Sequence, residues 1–370
     1  QRLYRKKTFN KTNLNKIYKD FNNFRFVSQT RYPEILFTND STKVYVYLEK
    51  AKANRFDGYI GFANDEKSEL KFTGHLDLSL INILNSGEEL NLYWKSDDNK
   101  QVTFNAGIEI PYIFKSPLGI KANLNIFKQD STFQNTKTAI DLGYYISYHS
   151  KLYLGYQSTE SSDIQNTNSK TISDFKNSYI TSSYEFKKIN YTNNLMPQKA
   201  NLNFAIGFGK RDTNNDPNTA EPSQQFYINL NASYNFKLNE KNFININSQN
   251  FYLKSKNYIS NELFRFGGMN SIRGFLENSL QSNFNSLILT EYRYKFSKNI
   301  YANTIADYGL YQDLTTATEP KKIKNLIGLG IGTTIQTTSG LLKITLTNGG
   351  SNTSELQLYN TIVNLCYNVK

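Results

Sequence analysis

Along most of this chain apolar and polar side chains alternate one residue at a time. The clearest run sets Phe226, Ile228, Leu230, Ala232, Tyr234 and Phe236 against Tyr227, Asn229, Asn231, Ser233, Asn235 and Lys237. A period of two places one set on each face of a β-strand. Leu70, Phe72, Leu76, Leu78 and Leu80 alternate in the same way with Lys71, Thr73, His75, Asp77 and Ser79. So do Leu118, Ile120, Ala122, Leu124 and Ile126 with Lys121, Asn123 and Asn125, and Leu202, Phe204, Ile206 and Phe208 with Asn203, Ala205, Gly207 and Gly209. Strands of soluble sheets usually run about five or six residues. These run about ten, the length that a strand tilted near 45° needs to cross a bilayer. Lipid offers no partner to a backbone N–H or C=O, so a sheet that crosses it is expected to close. The alternating segments from Phe56 to Tyr367 number roughly sixteen, an even count as in bacterial outer-membrane barrels. The predicted fold is all-β: a 16-stranded antiparallel transmembrane β-barrel over residues 54–370.

Residues 1–53 follow another pattern. Leu14, Ile17, Tyr18 and Phe21 have the spacing of one helical face, with Thr12 or Asn13 available as cap. A strand around Phe26 to Phe37, a turn at Asn39-Asp40-Ser41 and a strand from Lys43 to Glu49 complete a small α+β unit ending near Ala53. The polar stretches Glu160–Asp174 and Arg211–Ser223 read as extracellular loops, and Asn85-Ser86-Gly87 and Ser297-Lys298-Asn299 as periplasmic turns. Tyr112, Phe114, Tyr144, Tyr145, Tyr153 and Tyr156 near strand ends suit interfacial aromatic girdles.

Composition narrows the function. Hydrophobic residues are 38% of the chain, its mean hydropathy is −0.57, and no apolar run is long enough for a membrane helix. A barrel can be this polar because only alternate residues face lipid. One cysteine, Cys366, excludes an internal disulfide, and two histidines make a His-rich metal site implausible. No cofactor or metal site is expected, and no Ser-His-Asp set or paired carboxylate site suggests an enzyme. The formal charge of +12 is spread along the chain, so it reads as solvated surface and not as a nucleic-acid site. The opening at Gln1 reads as a mature or trimmed start.

One segment is out of character: Phe264-Arg265-Phe266-Gly267-Gly268-Met269-Asn270-Ser271-Ile272-Arg273-Gly274-Phe275. It is too apolar and too glycine-rich for a solvated loop tip. Arg273 lies between residues that prefer burial, and a buried guanidinium needs carboxylates. In the next strand Glu291 shares a face with Arg293 and Lys295, and in the one after Asp307 shares a face with Asn303 and Gly309. Both carboxylates are therefore predicted to point inward. A loop of residues 256–282 folded into the lumen would bring Arg273 to both of them.

These residues resemble the signature of the superfamily of BamA, TamA and the two-partner secretion transporters. Gly267-Gly268 followed by Ser271-Ile272-Arg273-Gly274-Phe275 looks like its sixth extracellular loop, and Asp307-Tyr308-Gly309 like the Asp-x-Gly of its strand motif. Glu291 stands where the lumenal acidic residue is expected, and Gly328, Gly330, Gly332, Thr337, Ser339-Gly340 and Leu342 are similar to the last strands. Ile305 stands where Phe is common, and no aromatic ends the chain. The resemblance implies that residues 1–53 are a partial or abbreviated polypeptide-transport-associated (POTRA) domain in the periplasm, of which one helix and the last two strands are clear. It also implies a bacterial outer-membrane barrel whose first and last strands, about Phe56–Phe62 and Gln357–Tyr367, close it weakly and part as a lateral gate. Gly58 and Gly61 would weaken the first of these.

The implied function is assembly or insertion of outer-membrane proteins. The alternatives are a secretion or translocation channel for a soluble polypeptide, or a structural barrel within a complex. The implied partners are outer-membrane lipid, unfolded or secreted client polypeptides and accessory assembly lipoproteins. A solute porin is disfavoured because the inward loop would obstruct the lumen.

Overall fold

A computed structural model describes residues 8–21, 24, 26–51, 53–64, 70–96, 101–165, 172–189, 193, 195–213, 222–315, 322–338, 340–351 and 361–369. The chain begins with α1 (Lys11–Phe21), β1 (Val27–Phe37) and β2 (Thr42–Lys50). Then come β3 (Arg55–Asn64), β4 (Leu70–Ile81), β5 (Glu89–Ser96), β6 (Gln101–Ile110), β7 (Leu118–Gln129), β8 (Phe133–Tyr145) and β9 (Ser150–Asp163). These are followed by β10 (Phe175–Ile189), β11 (Gln198–Thr213), β12 (Ser223–Lys237) and β13 (Asn242–Lys254). A long connection carries β14 (Phe264–Phe266) and β15 (Leu280–Ser282). The chain closes with β16 (Phe284–Lys295), β17 (Ile300–Gln312), β18 (Lys324–Gln336), β19 (Gly340–Ser351) and β20 (Ile362–Val369).

β3 to β13 and β16 to β20 form one 16-stranded sheet in chain order, antiparallel throughout because every link is a hairpin. No helix among the described residues is long and apolar enough to cross a membrane. The alternation survives into three dimensions. Ile140, Leu142, Leu154, Ile180, Phe208, Ile331 and Leu365 are exposed on the outer face, a surface that water would penalise and lipid would not. Short turns at residues 82–88, 146–149, 238–241 and 296–299 lie on one rim, and the long connections on the other.

The sheet rolls until its edges meet but does not zip. β3 and β20 approach within 8 Å, Cα to Cα, yet among the described residues β3 pairs only with β4 and β20 only with β19. The expected closed barrel is corrected to a sixteen-stranded sheet without a described ladder across the seam. The physical reason lies in the edges. The described part of β20 has eight residues, and residues 352–360, including the expected start at Gln357, lie outside the described ones. β3 is longer than expected, reaching Asn64. A Cβ on Gly58 would lie 2.6 Å from the His75 carbonyl oxygen, so only glycine fits there. The side chains around Gly61 lie outside the described residues.

Three smaller expectations change. Asn10, not Thr12 or Asn13, caps α1, its Oδ1 accepting from the Asn13 N–H at 2.6 Å. Arg211 and Glu160 belong to strands β11 and β9 and not to loops. Tyr145 and Tyr153 are buried in the lumen, where their hydroxyls donate to Glu109; the register turns these two aromatics away from the outer face. Phe114, Tyr144 and Tyr156 remain exposed, whereas Tyr112 packs against Tyr145, ring centroids 5.2 Å apart, and borders the lumenal cavity at the short-turn rim.

At the N-terminus, α1 buries Leu14 and Ile17 and sets Tyr18 against Tyr32 of β1, rings 5.0 Å apart. One helix and a two-stranded sheet are all that is described of this unit, so the complete POTRA order is not seen. Phe24 meets Tyr148 of the barrel with ring centroids 4.5 Å apart, joining the unit to the short-turn rim.

Candidate functional site

The connection between β13 and β16 folds into the barrel. Its tip reverses at Gly267, Gly268 and Gly274, whose φ values of 111°, 93° and 88° are open to glycine at little cost. Gly274 also touches the wall: a Cβ there would overlap the backbone of Asn348 and Gly349 on β19. Ile272 is fully buried with Phe266, Leu287, Leu289 and Leu326, and Phe275 packs against this cluster. Gly309 makes room, since a Cβ there would stand 3.0 Å from Ile272 Cδ1 and 2.6 Å from Leu287 Cδ2. Ser271 tightens the turn by donating its N–H to the Gly268 carbonyl at 3.1 Å.

The structure brings Arg273, Glu291 and Asp307 together. Arg273 Nε donates to Asp307 Oδ2 at 2.7 Å and Nη2 to Asp307 Oδ1 at 2.5 Å, a two-pronged grip on one carboxylate. Its backbone N–H donates to Asp307 Oδ2 at 3.1 Å, and Nη1 donates to Glu291. All three side chains are about 5% exposed or less. Strand alternation places the carboxylates inward on neighbouring strands, where Glu291 pairs with Ile305 and Asp307 with Leu289.

Two participants were not singled out from the sequence. Arg293 Nε donates to Glu291 Oε2 at 2.8 Å, and Lys343 Nζ reaches Glu291 Oε1 at 2.9 Å. Period-two alternation could have found Arg293, which shares the face of Glu291 on β16. Nothing local marks Lys343 as closer to it than other lumenal lysines. The node thus holds three cations against two carboxylates, and each carboxylate is multiply satisfied, the condition under which a buried ion pair is tolerated.

The lumen is lopsided. Around β16 to β19 the loop fills it with apolar side chains. Around β6, β7 and β12 it is lined by amides, with Asn125 donating to Asn105 and Asn231 to Asn229. On the short-turn rim, Leu195 and Met196 fold beneath the loop side against Phe243 and Tyr301. A cavity of about 370 Å³, the vestibule, bordered by Phe24, Phe26, Glu109, Lys121, Lys151 and Glu185, opens at the same rim. The inward fold of the β10–β11 turn has no signal in the alternation. Among the described residues no group of three or more His, Cys, Asp or Glu could hold a metal ion.

Comparison with solved structures places this architecture. The chain resembles CdiB from Acinetobacter baumannii with a TM-score of 0.64 and 15% identity, over 96% of this chain and 68% of that one. It resembles CdiB from Escherichia coli with a TM-score of 0.60 and 12% identity, over 97% and 70%. For the BamA from Haemophilus ducreyi lacking POTRA domains 1-3 the values are 0.58 and 13%, over 95% and 78%. No family model and no curated protein sequence matches the chain. The fold is the one to which the loop signature pointed.

Proposed function

We propose that this chain, a barrel of the BamA and CdiB fold, handles client polypeptides in the bacterial outer membrane by parting its first and last strands. The carrying observation is that the described residues of β3 and β20 are neighbours without a hydrogen-bonded ladder. Unpaired edges in lipid are costly, and an edge is a template onto which another strand adds. The leading reading is assembly or insertion of outer-membrane proteins, with α1, β1 and β2 in the periplasm as part of a POTRA-like unit over residues 1–53. Arg273, Glu291 and Asp307 then clamp the loop as the fixed post beside the gate, and accessory lipoproteins are possible partners for the periplasmic unit. Secretion of a soluble polypeptide is the second reading, favoured by the amide-lined half of the lumen above an open vestibule.

Cysteine pairs stepped along β3 and β20 in a Cys366→Ser background test the proposal. Crosslinking in intact membranes is expected at one register. It should halt client handling while the barrel stays folded. A stop in barrel insertion supports the first reading, and a stop in release of a soluble client supports the second. Full locking with normal client handling would favour a purely structural barrel.

A further inference from the structure

The inward loop has a second buried anchorage on the opposite wall. Before the tip is reached, the segment after β13 crosses the long-loop mouth to β11, where Arg211 Nη1 donates to Glu262. Both side chains are less than 5% exposed. Arg211 also reaches the Asn257 carbonyl at 3.2 Å, and Gln225 Nε2 on β12 donates to Glu262 Oε1 at 2.5 Å. The neighbouring residue is seated as firmly. Asn261 Nδ2 donates to Ser161 Oγ at 2.7 Å and to the Ser173 carbonyl at 2.8 Å, and its own carbonyl accepts from Asn135 at 2.6 Å. One turn of loop is thereby bonded to β8, β9, β11 and β12.

This level lies above the apolar band. Next to Arg211 on the outer face stand Lys210 and Asp212, both about half exposed, and the facing strand offers Lys176. The pair therefore sits in the mouth and not at hydrocarbon depth. Following Gln225 along the same face of β12 come Tyr227 and the amides Asn229 and Asn231, and the vestibule opens at the other rim.

From this we infer that Arg211 and Glu262 form a second foot of the loop that shuts the extracellular mouth over the amide-lined half, and that releasing this foot opens a path through the lumen. The inference rests on the proposed membrane setting but not on which client is handled. Of the two feet this is the one built to let go. Arg273 grips two carboxylates, whereas Arg211 has one and keeps its buried Nε without a partner among the described residues. Burial also pushes the Glu262 carboxyl above the ordinary carboxylate range against the pull of Arg211.

The test is ion conductance of the refolded chain in planar bilayers of phosphatidylethanolamine and phosphatidylglycerol, with no client present. Native protein should be mostly closed. Glu262→Gln keeps the shape and removes the charge, and should raise the open time at least about tenfold, corresponding to the loss of a modest bias between two states. Cysteines at Asn261 and Ser161, joined by a short thiol crosslinker in a Cys366→Ser background, should abolish those openings, and cleaving the crosslinker should restore them. Unchanged conductance in Glu262→Gln, with faster proteolysis at residues 256–263, would overturn the inference, as would openings that persist through the crosslink. Heat-modifiable gel mobility checks folding. Should Glu262→Gln not fold, the crosslink in the otherwise native chain decides, because rare native openings that survive it also overturn the proposal. Trp94 fluorescence quenching by brominated lipid reports membrane insertion separately, so failure of the foot and failure of the membrane reading are distinguishable.

Discussion

The wall from β9 to β12 and the seam between β3 and β20 are made of the same alternating pattern and are held in different ways. The first has strands of 14, 15, 16 and 15 residues, each paired on both sides. The second sets a strand of 10 described residues beside one of 8, each paired on one side only among the described residues. Near the seam, the wall from β16 to β19 gains from the loop what the edges lack in ladder: a buried apolar cluster and the Arg273 node. Alternation decides which way side chains point, but not whether a backbone finds a neighbour. If the seam is the proposed gate, the inserted loop stiffens the wall beside the joint that has to move.

The largest expected effect comes from breaking the well-paired wall. Thr181 on β10 faces Gly155 on one side and Gly207 on the other. Thr181→Pro removes a ladder bond that lipid cannot replace, a cost of about 3 kcal/mol or more, and should abolish the heat-modifiable folded band on gels. A proline scan along β3 should instead alternate between tolerated and lost, because every second N–H points away from β4. Uniform loss along β3 would mean that the strand is paired on both sides.

The wall beside the seam should yield next. Removing one member of a buried ion pair commonly costs about 3–5 kcal/mol, so Arg273→Ala should lower the urea midpoint and expose the loop to protease. Arg273→Lys should fall between Arg273→Ala and the native protein, because an ammonium cannot grip Asp307 in a planar fork. Arg293→Ala, one of three cations on Glu291, should cost less than either. A double-mutant cycle with Asp307→Ala should show strong coupling; additive effects would mean that the two side chains do not act as one node.

A smaller effect is expected where backbone meets backbone. Gly274→Ala combines a left-handed φ with overlap on β19, and should cost about 1–3 kcal/mol, read as an earlier thermal loss of the folded band. Least of all should follow from Lys176→Ala, which removes an ion pair to Glu160 with both side chains more than half exposed. It should change stability within about 0.5 kcal/mol, and a larger change would show that the wall depends on its surface charges.

Much of this architecture was legible because a period of two is a local property. Phe226 to Phe236 declares its two faces without reference to anything else, and Glu291 and Asp307 declare themselves inward in the same way. Arg273 was legible for a different reason: a guanidinium among Ile272, Gly274 and Phe275 has to find carboxylates. What alternation cannot encode is which inward residues meet across the lumen, because that depends on curvature, strand stagger and the path of a loop. So Lys343 at Glu291, Arg211 at Glu262 and the fold of Leu195 and Met196 beneath the loop emerged only in three dimensions. The same holds for the seam. Phe56–Phe62 and Gln357–Tyr367 each read as a strand, but whether two strands at opposite ends of a chain pair is settled by the closure of the other fourteen, and tertiary structure leaves their described residues adjacent without a ladder.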